Sequence, residues 1–227
     1  MAQPSQFAMI RSWIGASKQW LSHFLDRAPS ERSIVAIVVM GSAVRQRVHR
    51  RSDFDLLVVY QERRPAIKAP LEVDIRFVSV DGIDKQISEG QEIVCWALQF
   101  GCALYDPKLF WHRMGRLWAG RVPLPSAAEA RARGIKNLAR AVEMLEFGDE
   151  SAADDLVLSA LTQFVRERLI SGGVFPASRP ELPNQLRTLC KNDPLARLLD
   201  EAMYGDCDPA ELVFELNNLQ AEVNVRP

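Results

Sequence analysis

Apolar residues at positions 7, 10, 13, 14, 21, 24 and 25 recur at helical spacing, and Arg11, Lys18 and Gln19 fall between them, so the pattern predicts an amphipathic first helix. The periodicity then changes. Residues 33–40 (SIVAIVVM) and 54–60 (FDLLVVY) are short β-branched runs, the signature of buried strands. Residues 71–80 (LEVDIRFVSV) alternate instead, with Leu71, Val73, Ile75 and Phe77 on one face and Glu72, Asp74 and Arg76 on the other, which predicts a half-buried strand. Helical spacing returns with Ile83 and Ile87, and again beyond Gly90 with Ile93, Val94, Ala97, Leu98 and Phe100. Residues 103–105 add an edge strand, and Asp106-Pro107 has the form of an N-cap followed by a first-turn proline, opening a helix through Trp118.

The stretch AGRVPLP at 119–125 breaks regular structure, and everything beyond it reads as helix. Ser126 with Glu129 forms a capping-box pattern ahead of a stripe of Ile135, Leu138, Val142 and Leu145 that stops at Gly148. A second long helix covers 152–170 with Val157, Leu161, Phe164, Val165 and Leu169 on one face. Pro176, Pro180 and Pro183 punctuate a connector, and shorter helices follow at 186–190, 195–203 and 210–223. The expected architecture is therefore α+β: a mixed β-sheet domain flanked by helices over 1–120, then an all-α helical bundle over 121–227 that binds a substrate or a partner.

Composition narrows the function classes. A net charge of −1, from 28 basic and 29 acidic residues, gives no global electrostatic case for nucleic-acid binding. Cys95, Cys102, Cys190 and Cys207 form no C-x-x-C pair and have no histidines at zinc spacing, so they read as buried thiols. The first residues lack the basic, apolar and small-residue zones of a secretory signal, and no apolar run is long enough to span a bilayer; a cytoplasmic protein without a membrane partner is expected.

The chemistry concentrates in residues 40–56, MGSAVRQRVHRRSDFDL. Gly41 lets the chain leave a buried strand sharply and brings backbone N–H groups close to an anion, and Ser42 adds a hydroxyl there. Residues 43–49 read as a short helix whose N-terminus would face the same anion, with Ser42 able to serve as its cap. Asp53 and Asp55 are two apart on a strand and so project from one face, where a hard cation such as magnesium relieves their repulsion. If the 71–80 strand pairs alongside, Asp74 on its polar face supplies a third acid; Glu72 has the same parity and competes, and an ion pair with Arg76 is the alternative use of Asp74. Three convergent carboxylates suit a two-metal site for in-line displacement at phosphorus.

Gly-Ser, a ten-residue gap, Asp-x-Asp and a later strand Asp resemble the polymerase-β-like nucleotidyltransferases, above all the minimal nucleotidyltransferases of toxin–antitoxin pairs and the aminoglycoside nucleotidyltransferases with a C-terminal helical domain. The resemblance covers residues 33–80. It implies Asp53, Asp55 and Asp74 as catalytic metal ligands for Mg2+, with Gly41 and Ser42 at the nucleotide phosphates. Arg45, one turn into the expected helix and within a stretch 45–68 holding seven Lys/Arg against three Asp/Glu, is the cation chosen for the triphosphate. ATP is the donor the resemblance implies; the acceptor is left open between a small hydroxyl compound, a protein side chain and an RNA end, and a hydroxyl on a small molecule or protein is the expectation. Poor aromatic interleaving argues against a processive polymerase, and RNA is the less favoured partner.

Glu143, Glu146, Asp149, Asp154 and Asp155 are the helical half's acids from which a general base could come, and none is singled out by pattern. His23, His49 and His112 all precede that half, so it lacks the Arg-then-His pattern of the helical RNases paired with minimal nucleotidyltransferases. Trp96, Trp111 and Trp118 fall at helical spacings and read as core. Replacing Gly41 with Val is expected to weaken nucleotide binding at little thermal cost. The rival reading is a non-catalytic, antitoxin-like or regulatory nucleotide-binding module that keeps the acids without turnover.

Overall fold

The computed structural model describes residues 15–44, 54–205 and 207–225. The chain divides into two compact units, Met1–Leu124 and Pro125–Pro227. The first is a four-stranded mixed sheet in the order β3-β2-β1-β4, formed by β1 (Ile34–Val39), β2 (Phe54–Tyr60), β3 (Val73–Ser79) and β4 (Cys102–Tyr105). β1 runs antiparallel to both β2 and β4, whereas β2 and β3 are parallel. The two inner strands are the two β-branched runs. That placement follows from their composition, because a strand apolar on both faces must be covered on both.

One face packs on helix α1 (Gly15–Arg27): Leu21 and Phe24 join Ile37, Val39, Phe54, Leu56 and Val58 in a single core. Trp20 stacks on Phe24 and donates its indole N–H to the Lys68 carbonyl at 2.9 Å, tying the β2–β3 connection to α1. The first part of the expected helix lies outside the described residues. On the other face Ala36, Val38, Leu57 and Val59 are equally buried. That side carries the C-terminal end of α4 (Glu92–Phe100), where Gly101 approaches Val38 too closely to admit a Cβ, and α5 (Phe110–Leu117) contacts β1. Between Gly41 and Val44 lies a helical turn, α2, followed after β3 by α3 (Val80–Ser88), α4 (Glu92–Phe100) and α5 (Phe110–Leu117).

Two expectations are corrected in this unit. Leu71, expected on the inner face of a strand, is fully exposed in a turn; Pro70 accepts from the Val73 N–H, so pairing starts at Val73 and ends at Ser79, whose side chain caps α3. Pro107 does not open α5. Leu109 adopts a left-handed conformation (φ 55°) and the helix begins at Phe110, while the Asp106 carboxylate accepts from the His112 N–H at 3.0 Å. Asp106 thus caps from further upstream than the Asp-Pro pattern implies. Trp96 and Trp111 are buried, and Trp118 is half-buried with its indole N–H on Asp84 at 3.3 Å.

The second unit is all helix: α6 (Ala127–Glu146), α7 (Glu150–Ser171), α8 (Leu182–Leu189), α9 (Pro194–Tyr204) and α10 (Pro209–Val225). Ser126 caps α6 by accepting from the Glu129 N–H at 3.2 Å, and Asp149 caps α7 by accepting from Ala152 at 3.0 Å. Its core joins Val157, Leu161, Phe164, Val165 and Leu169 of α7 to Leu186, Leu199 and Leu216. Ile135, expected in the buried stripe of α6, is 51% exposed. The contact line on α6 instead runs through Ala130, Gly134, Leu138 and Ala141, because small residues let α6 approach the Phe164 ring. A Cβ at Gly134 would lie 2.9 Å from that ring. Gly→Ala in a helix interior ordinarily gains about 1 kcal/mol, but overpacking a core costs about 1–3 kcal/mol. Gly134→Ala is therefore expected to lower the thermal midpoint, measured by circular dichroism, against the usual sign. Among the described residues no helix is long and apolar enough to cross a membrane.

Candidate active site

The parallel register of β2 and β3 sets Asp55 directly opposite Asp74. Paired residues on neighbouring strands share a sheet face, so the two carboxylates emerge on the same side while Phe54 and Leu56 turn into the α1 core. Glu72 lies before the paired strand, where its carbonyl accepts from the Phe54 N–H at 2.8 Å, so the register aligns Asp74 and not Glu72 with Asp55. Asp74 also pairs with the Arg76 guanidinium at 2.6 Å. Both side chains are about half exposed (41% and 55%), a setting in which an ion pair is worth roughly 0–1 kcal/mol and yields readily to a better partner.

At the end of β1 the Met40 N–H donates to the Asp55 carbonyl at 2.8 Å, delivering the next residue to the Asp55 side chain. That residue is Gly41, in the left-handed region at φ 67°, and a Cβ there would collide with the Asp55 carboxylate oxygen Oδ2. Two separate constraints thus select glycine: the backbone conformation and the space the carboxylate fills. The expectation that Gly41→Val leaves the melt nearly unchanged is accordingly corrected, since any side chain there is strained. Ser42 follows within α2, half-buried. Asp53 and Arg45 lie outside the described residues, as does most of the helix expected over 43–49.

Beside these groups is a cavity of about 150 Å³ lined by Met40, Gly41, Asp55, Glu92, Ile93 and Trp96. The last three come from the first turns of α4; the sequence pattern reads Ile93 as helix and Trp96 as core and does not single out Glu92, since nothing in the spacing signals a carboxylate lining Asp55's cavity. In the second unit, Asp149 is engaged as the α7 cap, and Glu143, Glu146, Asp154 and Asp155 are exposed on α6 and α7.

The sheet thus sets acids from adjacent strands on one face, next to a glycine turn leaving a buried strand. Residues 21–100 match the nucleotidyltransferase domain family, and the first unit is a nucleotidyltransferase domain of the polymerase-β-like superfamily. The fold is correspondingly a mixed sheet with flanking helices, followed by a helical region. A nucleotidyltransferase-like protein from Exiguobacterium sibiricum 255-15 has a solved structure sharing 13% identity, over 88% of this chain and 71% of that one, with a TM-score of 0.42. No curated protein matches the chain.

Such a domain implies a divalent metal, and the residues present fit one. Asp55 and Asp74 offer hard oxygen donors from directly paired positions, and the Gly41 turn leaves room for the Asp55 carboxylate that a Cβ would occupy. Among the described residues no three His, Cys, Asp or Glu side chains come together to hold a metal; Asp53, of the same strand parity as Asp55, is not among them.

Proposed function

We propose that this chain is a metal-dependent nucleotidyltransferase that transfers a nucleoside monophosphate, AMP from ATP, to a hydroxyl on a small molecule or protein, releasing pyrophosphate. The nucleotidyltransferase domain supports general nucleotidyl transfer. The observation that carries the finer reading is the Asp55–Asp74 register with Gly41 packed on the Asp55 carboxylate. In this reading Asp53, Asp55 and Asp74 hold Mg2+, which when bound stabilises charge on the triphosphate and on the attacking oxygen. Gly41 and Ser42 present backbone and hydroxyl donors to the phosphates, and Arg45 adds a cation.

The reaction is an in-line displacement. The acceptor oxygen bonds to the α-phosphorus, the bond from that phosphorus to the bridging oxygen breaks, and pyrophosphate leaves. The chain's task is to hold these atoms in line, which is where most of the rate gain in phosphoryl-group chemistry originates. Incubating the protein with Mg2+, a cell extract and each α-labelled nucleoside triphosphate in turn tests the proposal. Label from ATP is expected in small molecules or protein. A protein that binds Mg·ATP but labels nothing would favour the non-catalytic binding module, and label in RNA would replace the acceptor class.

A further inference from the structure

A larger cavity, of about 440 Å³, lies at the far end of the sheet from Asp55. Its place follows from the register. Ile34 opens β1 and pairs with Tyr60, whereas Met40 and Gly41 close the same strand beside Asp55, roughly 20 Å away at the rise of an extended chain. The two places also differ in face. Phe24 and Ile34 belong to the core beneath α1, the side to which Phe54 and Leu56 turn, and the Asp55 carboxylate emerges on the other.

The cavity has an apolar floor and a polar rim. Phe24 of α1, Ala28 of the following turn, Ile34 of β1 and Pro65 of the β2–β3 connection form the floor, and all four are buried. Trp20 braces it from behind, stacked on Phe24 with centroids 5.1 Å apart and held by its indole bond to the Lys68 carbonyl. Arg27 and Lys68 stand exposed on the rim. Arg27 donates its Nε–H to the His23 carbonyl at 3.3 Å, which leaves both terminal amino groups of the guanidinium; among the described residues neither these nor the Lys68 ammonium has an acidic partner. Glu31 also lines the cavity, but its carboxylate accepts from the Ser33 hydroxyl at 2.8 Å, and that hydrogen bond lowers its pKa and keeps it ionised. The lining therefore carries two cations and one anion.

These walls select a ligand class. At about 440 Å³ the space falls within the range of sites for drug-sized molecules, about 300–1,000 Å³, and the floor favours an apolar body. A single negative charge neutralises the lining. A phosphate dianion would instead leave surplus negative charge beside Glu31 and at the C-terminal, partially negative end of α1.

We propose that this cavity binds a small monocarboxylate with an apolar body, the body on Phe24 and Ile34 and the carboxylate at Arg27 and Lys68. The site is separate from the transfer chemistry and does not rest on the nucleotidyltransferase reading.

The probe is 2-naphthoate, with 2-naphthalenemethanol as its neutral counterpart and 2-naphthyl phosphate as the dianion, each titrated by ligand-observed NMR. Wild type is expected to bind 2-naphthoate about tenfold more tightly than either comparator, and saturating Mg·ATP to leave that Kd within twofold. Combining Arg27→Gln with Lys68→Gln should weaken 2-naphthoate about tenfold while the alcohol stays within twofold, a charge-specific loss that a fold defect would not give. Ala66→Trp, at an exposed position of the lining, fills the space and should weaken acid and alcohol alike about tenfold. If its melt shows a damaged fold, the glutamine pair still decides. Absence of binding to wild type, equal affinity for acid and alcohol, or unchanged 2-naphthoate affinity in the glutamine pair overturns the site. Displacement by Mg·ATP overturns it too, because the probe would then occupy the nucleotide's place, and tighter binding of the phosphate overturns the carboxylate as head group.

Discussion

Asp55→Asn is expected to lower kcat/KM for nucleotidyl transfer by roughly a thousand-fold, about 4 kcal/mol of transition-state stabilisation, while the thermal midpoint holds or rises. The asymmetry follows from the register. Asp55 stands opposite Asp74 on the paired strand, so two carboxylates share one face and exchanging one for a neutral amide removes the like-charge term between them. Asn keeps nearly the same volume beside Gly41, where there is no room to spare. The same charge is what a bound divalent cation requires, so its loss weakens attack and departure together. Steady-state kinetics and thermal unfolding of the same preparation check both halves. Full activity in Asp55→Asn would remove the carboxylate from the chemistry, and a collapsed melt would make its role structural.

Gly41→Ala is expected to do the reverse: it damages the fold and the site at once. Holding an L-residue at φ 67° costs about 1–2 kcal/mol, and the added methyl must also displace the Asp55 carboxylate. Those two causes separate in a double-mutant cycle. A Cβ at Gly41 would stand 3.4 Å from the Asp55 Cβ, an ordinary contact, so trimming Asp55 to Ala removes the collision and leaves only the backbone strain. Gly41→Ala should therefore cost less stability in the Asp55→Ala background than in wild type, by about 1 kcal/mol or more of coupling. Chemical denaturation of the four proteins measures it. Additive losses would mean that the close packing of Gly41 on Asp55 has no energetic consequence. In either background Mg·ATP binding is expected to weaken, since the turn that presents its N–H groups has moved.

Much of the first unit is legible without coordinates because its signals are local. The β-branched runs at 34–39 and 54–60 have the burial their composition demands, apolar on both faces and inner in the sheet. In the second unit Ser126 caps the helix that follows it through a contact only three residues long. A glycine at the end of a buried strand likewise marks the sharp turn that leaves it.

Tertiary structure decided whatever depends on a partner distant in sequence. Leu71 fits an alternating strand by pattern, yet pairing begins only at Val73, and an unpaired end has no sheet to bury it. On α6 the apolar spacing favours Ile135, but the observed approach to Phe164 selects the smallest residues, so Gly134 and Ala141 face inward and Ile135 faces out. Alternation alone leaves Glu72 and Asp74 equivalent; the parallel register separates them by putting Asp74 across from Asp55. Glu92, Ile93 and Trp96 form one wall of the cavity beside Asp55 only because the chain returns to the sheet after β3. Sequence determines which residues are suited to a strand, a cap or a sharp turn, since those preferences act over a few bonds. Which of them meet is decided by register and close packing, which exist only once the sheet and helices have assembled.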